Sequence, residues 1–190
     1  QSAAIATYGH IRDWNVMGVT NMNEAFKDKT TFDENITGWD VSNVTNMYRM
    51  FNEANNFNQN ISDWNVSSAV NMSRMFNVAR NFNQDLSSWN VSGVTTMESM
   101  FKEADSFNQD LSNWNTANVT NMKELFNRAD IFNGDISTWN VSKVTNMQRI
   151  FSTAPNFNQN ISSWDVSALT NSSEMFRSAD SFNQNISGWD

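Results

Sequence analysis

Apolar residues fall in fixed columns along this chain, and the columns repeat every 25 residues. The eight tryptophans, Trp14, Trp39, Trp64, Trp89, Trp114, Trp139, Trp164 and Trp189, follow that period without a slip. All fourteen phenylalanines belong to two further columns, Phe26 to Phe176 and Phe32 to Phe182. A period of this size is the signature of a repeat architecture in which each unit buries its apolar side against its neighbours. Within one period the pattern changes twice. Ile61, Trp64 and Val66 have the spacing of one face of a short strand, with Asn65 facing out. Val44, Met47, Met50, Phe51 and Ala54 then follow at i, i+3, i+6, i+7 and i+10, which predicts a short helix. Ser42, Thr45 and Asn46 are suitable N-cap types for it. A helix is ~10 Å wide and strands sit ~4.8 Å apart, so this reading expects curvature with the helices outside.

A loop carries the second Phe column and, beside it, the amides Asn58, Asn83, Asn108, Asn133, Asn158 and Asn183. These are expected to satisfy backbone groups at the corner, as is a second column through Asn46, Asn71, Asn121, Asn146 and Asn171. The organisation predicted is a cap at 1–13, seven repeats over 14–188, and the start of a further repeat at 189–190. The Trp-Asp end reads as an open edge, so more chain is expected after it. No basic and apolar leader begins the sequence, so an export signal would lie outside it or be removed.

Residues 82–101, F-N-Q-D-L-S-S-W-N-V-S-G-V-T-T-M-E-S-M-F, and their copies resemble the repeat of about 26 residues found in surface lipoproteins of mycoplasmas and listeriae, a family grouped with BspA-like leucine-rich repeats. The spacing of Ile61, Trp64, Val66 and Ala69 is also similar to that of leucine-rich repeats. The resemblance runs from residue 11 to 190. Together with the periodicity it implies an α/β repeat: a leucine-rich-repeat-like, right-handed solenoid with one short parallel strand and one short helix per 25-residue turn. It further implies an extracellular or cell-surface protein, lipoprotein-like or secreted, acting in adhesion or protein–protein interaction, and it brings no catalytic residues with it.

Charge and composition narrow the chemistry. The net charge of −8 argues against nucleic acid and against anionic membrane surfaces. No apolar run approaches the ~18 residues of a membrane span, so no membrane insertion is expected. Cysteine is absent, and His10 is the single histidine. That excludes thiolate chemistry and leaves no constellation for nucleophilic or acid–base catalysis, so no enzyme, metal or cofactor is expected. Asn/Asp columns suit calcium less well than turn capping, because most are amides and the glycine-rich calcium-roll spacing is missing. A threonine column from Thr20 to Thr170 is broken by Val70 and reads as capping.

With Trp and Val turned inward, the residue after each Trp faces out. Asn15, Asp40, Asn65, Asn90, Asn115, Asn140 and Asp165, flanked by Ser42, Ser67, Ser92 and Ser142, are therefore the candidate ligand-binding face. Its expected partner is a host or environmental protein or glycan, with other domains of the same full-length chain as neighbours. The alternative is a purely structural spacer in a long surface protein. The charged columns, among them Arg49, Arg74, Lys102, Glu124 and Arg128, read as the solvated side of the helices.

Overall fold

The computed structural model describes residues 6–189. Residues 1–5 of the expected cap, and Asp190 of the expected further repeat, lie outside that range. Residues 6–8 are helical, and Ile11–Asp13 form one 3₁₀ turn. From residue 14 to 189 the chain winds through seven stacked coils: coil 1 (14–38), coil 2 (39–63), coil 3 (64–88), coil 4 (89–113), coil 5 (114–138), coil 6 (139–163) and coil 7 (164–188).

The expected α/β solenoid with a strand and a helix in every turn is not formed. Between residues 14 and 189 there is no α-helix, and the β-structure is confined to isolated bridges. The bridges are parallel and link the same column throughout: Asn21, Asn46, Asn71, Thr96, Asn121, Asn146 and Asn171. They lie seven residues beyond each Trp, so the Trp-x-Val segment read as a strand carries none. The likeness to a leucine-rich repeat falls with these elements.

The segment read as a helix shows why. In coil 2, the N–H groups of Met47, Arg49, Phe51 and Glu53 donate to the carbonyls of Asn71, Ser73, Met75 and Asn77 in coil 3, at 2.8–3.0 Å. The intervening N–H groups of Met50, Asn52 and Ala54 close tight turns onto Met47, Arg49 and Phe51, each at 3.1 Å. Alternate donors therefore point along the stack, whereas an α-helix directs all of them at its own carbonyls. A row of helices ~10 Å wide cannot keep this one-to-one pairing. Tandem turns also bring side chains to one face every three to four residues, which is why the column spacing imitates a helix.

The turns require a left-handed backbone at two places in each coil. Glu24 and Asp28, Arg49 and Glu53, Arg74 and Val78, and their successors to Glu174 and Ser178, all have φ between 53° and 61°. None is glycine, and two, Val78 and Thr153, are β-branched, for which this region is most costly.

The other side of each coil stacks mainly through side chains. The N–H of Asn83 donates to Asn58 Oδ1 (3.0 Å), that of Asn108 to Asn83 (2.9 Å), and that of Asn133 to Asn108 (2.7 Å). The expected corner ladder through these amides is thus present. The Asn46 column behaves differently: it forms the bridges, while Asn46 Oδ1 accepts the N–H of Tyr48 within its own coil (3.0 Å). Tryptophan contributes a bond as well as bulk. The indole N–H of Trp114 donates to the Leu86 carbonyl, 28 residues earlier (2.8 Å), and that of Trp139 to Leu111 (2.9 Å). Each such carbonyl also accepts the backbone N–H of the Trp three residues after it, as Leu86 does from Trp89 (3.1 Å).

The core is a continuous aromatic spine. Phe51 stacks on Phe57 within coil 2 at 3.9 Å and on Phe76 of coil 3 at 5.6 Å, and Phe57 stacks on Phe82 at 5.8 Å. The tryptophans of coils 2 to 7 are buried, as the columns predict, while the outermost, Trp14, is 42% exposed.

Gly134 stands where five of the other coils have glutamine. A Cβ there would overlap the Gln109 carbonyl. The close approach lets the Leu111 N–H reach the Asp135 carbonyl directly (3.0 Å), a backbone bond confined to this pair of coils at that column among the described residues.

Two substitutions test this arrangement. Thr153→Gly relieves a left-handed β-branched residue and raises stability by about 0.5–1 kcal/mol in urea unfolding, whereas Thr145→Gly, which loses a hydroxyl bond to Thr120, lowers it. Gly134→Gln matches the other coils yet destabilises by about 1–3 kcal/mol, because the backbones must part. A neutral or stabilising Gly134→Gln would contradict the close contact.

Candidate functional site

Each coil offers two polar surfaces, and the backbone treats them differently. The face expected to bind ligand is one row of short polar side chains. Asn15, Asp40, Asn65, Asn90, Asn115, Asn140 and Asp165 are all exposed; Ser67 is exposed, and Ser42, Ser92 and Ser142 are half-buried. The row is in place, but its acceptors are occupied. Oδ1 of each Asn or Asp takes the N–H two residues on: Asp40 from Ser42 (3.0 Å), Asn65 from Ser67, Asn90 from Ser92 and Asn140 from Ser142 (each 3.1 Å). Asn15, Asn115 and Asp165 do the same with Met17, Ala117 and Ser167. These are Asx turns that hold the corner after Trp.

Three carboxylates register that role. Ser42 holds Asp40 below the usual carboxylate range through its hydroxyl and then its backbone N–H, and Ser167 does the same for Asp165. Asp85, in the equivalent turn before the next Trp, is lowered by the backbone N–H of Ser87 and then its hydroxyl.

The second surface runs along the left-handed turns. A groove of ≈ 640 Å³ crosses coils 1 to 5, from Lys27 through Arg49, Arg74 and Lys102 to Glu124. Two of its polar atoms, Arg49 Nε and Asn77 Oδ1, are buried without a hydrogen-bond partner among the described residues. A second groove of ≈ 320 Å³ continues from Lys102 to Arg177 and Ser178. Neither groove includes any of the eleven residues of the Asn/Asp/Ser row.

Charges on this surface pair between coils: Arg49 with Glu24 (3.1 Å), Arg74 with Glu98 (3.3 Å), Lys102 with Glu124 (2.7 Å) and Arg149 with Glu174 (2.9 Å). Such half-exposed pairs add little stability individually and chiefly fix where the charges stand. Burial pulls Glu124 toward the neutral form, but the hydrogen bond and charge of Lys102, with the charges of Lys123 and Arg149, outweigh it and hold the carboxyl below its ordinary value.

The side chains on this surface change charge from coil to coil. The column at Glu24 reads Glu, Arg, Arg, Ser, Glu, Arg, Glu through the seven coils, and the column at Asp28 reads Asp, Glu, Val, Glu, Arg, Thr, Ser. The column at Asn15 holds only Asn and Asp. Reading the charged columns as one side of a helix hid this contrast; the signal was the spread of residue types within a column.

The sequence pattern described as "Mycoplasma protein of unknown function, DUF285" matches residues 2–114 and again 95–190. The chain belongs to that family. For this DUF285 chain the mycoplasma-type part of the resemblance therefore holds, while the match lends nothing to a relation with BspA-like leucine-rich repeats. No curated protein matches the chain. Among the described residues, no helix is long and apolar enough to cross a membrane.

The Asx turns give a pH test. Asp40, Asp85 and Asp165 have lowered folded-state values, so their contribution is complete above the unfolded value of ~3.9 and is lost as pH falls through the lowered folded values. The urea midpoint of the wild type should drop below about pH 4. A D40N/D85N/D165N variant keeps the amide acceptors and should show a shallower fall; an identical pH profile would show that these turns are uncoupled from stability.

Proposed function

We propose that this chain is a non-enzymatic recognition module of a secreted or cell-surface protein, and that it reads its partner with the left-handed-turn face rather than with the Asn/Asp/Ser row. One observation carries the reading. The fourteen positions with positive φ hold charged, hydroxyl or branched residues where glycine would relieve the backbone. Accepting that strain in every coil, at columns whose charge also changes sign from coil to coil, is the behaviour of a surface kept for its side chains. A uniform core with a variable face is how stacked repeats present a binding surface. The Asn/Asp/Ser row is uniform, and its acceptors serve the backbone.

The spacer reading draws on the same aromatic spine, which continues through every coil and needs no ligand.

Protein and glycan arrays separate the two faces. R74E/E103K alters the turn face, and N65K/N90K/N115K alters the Asn row. The expectation is about a tenfold or greater loss of binding for the first variant and wild-type binding for the second once folding is matched by circular dichroism. The reverse result would return the site to the Asn row. An absence of ligands for the wild type would leave the spacer reading.

A further inference from the structure

We infer that the ≈ 320 Å³ groove at coils 4 to 7 is an anion-binding site for the acidic groups of an anionic polysaccharide, an inference that rests on the turn face being the recognition surface. The chain carries a net charge of −8, yet four cations, Lys102, Arg128, Arg149 and Arg177, line this groove against the single carboxylate of Glu124. Not all of that positive charge is spent. Lys102 is committed to Glu124 (2.7 Å), and Arg149 to Glu174 through two nitrogens at 3.1 and 2.9 Å. The side chains of Arg128 and Arg177 stay 61% and 66% exposed, each with one contact, to Glu103 at 3.3 Å and to Glu174 at 3.4 Å. A guanidinium presents five donors in a planar fork suited to carboxylate or sulfate oxygens. Two such forks therefore face the groove with most donors unused.

The other lining groups select the polymer. Thr153 and Ser178 offer exposed hydroxyl groups, the buried Asn127 amide being spent on the Ser152 carbonyl (2.9 Å), and no apolar or aromatic side chain lines the groove. Bases of a single-stranded nucleic acid would find nothing to stack on. Within the groove an acidic peptide would find no apolar side chain to anchor its own. A hydroxylated chain bearing sulfate or carboxylate groups meets both the charged forks and the neutral donors. The ten or so Ångströms over which charges act at moderate salt keep the acidic columns on the other side of the coil from opposing it strongly.

The test uses the full chain with dextran sulfate and polygalacturonate as probes and neutral dextran as the blank, titrated at low and at physiological salt. We expect both polyanions to bind, and R128Q/R177Q to weaken binding by about tenfold or more and to lower the salt dependence by roughly two released counterions. K143Q, a cation outside the groove, should change neither quantity. Undetectable binding at low salt, indifference to R128Q/R177Q, an equal loss with K143Q, or tighter capture of poly-glutamate than of either polysaccharide would each overturn the inference. If the arrays still show loss of partner binding with R74E/E103K, only the anion site falls; if that loss is missing too, the turn face falls with it.

Discussion

Everything in this molecule depends on a hydrogen-bonding register of about 25 residues between neighbouring coils. A coil without regular secondary structure leaves its backbone donors and acceptors to be paired elsewhere. Here one half of the coil pairs them directly, carbonyl to N–H, with the coil above and below. The other half pairs them through amide, hydroxyl and indole side chains placed at the same column each time. Because both systems share one period, the apolar rings fall into line and the aromatic spine follows. A slipped residue in one coil would misplace the ladder, the amide row and the rings together, which accounts for the strictness of the tryptophan spacing.

Much of this is legible in the amino-acid sequence. The burial of the Trp, Phe, Met and Val columns follows from their period, and the Asn58-type amides read correctly as corner pairing. The helix did not survive, for a physical reason. Met47, Met50, Phe51 and Ala54 have helical spacing, but tandem turns place side chains on the same face. Helices and strands of unequal width in one coil call for curvature; the protein removes the mismatch by having no helices between residues 14 and 189. The left-handed positions could not be read, since Arg49, Glu53, Val78 and Thr153 give no hint of positive φ. The second role of Trp was also hidden, because bulk alone explained the column while the indole N–H to Leu86 requires the coil geometry.

The site follows the same logic. Asn65 and Asn90 look available in sequence because they are polar and outward, yet each is an acceptor for its own coil. Arg49, Arg74 and Lys102 look like ordinary solvated charge, yet they line a groove on strained turns. A scaffold that must repeat strictly can vary only where its side chains do not serve the register, and the turn face is one such place, where the charge itself changes from coil to coil.

The central claim is that residues 46–54 and their equivalents bond to the next coil and not to themselves. Scalar couplings across hydrogen bonds, measured by NMR on labelled protein, read this directly. The account predicts a coupling from the Phe51 N–H to the Met75 carbonyl and from the Arg49 N–H to that of Ser73. Couplings from Phe51 to Met47 and from Arg49 to Thr45, the pattern of an α-helix, would contradict it.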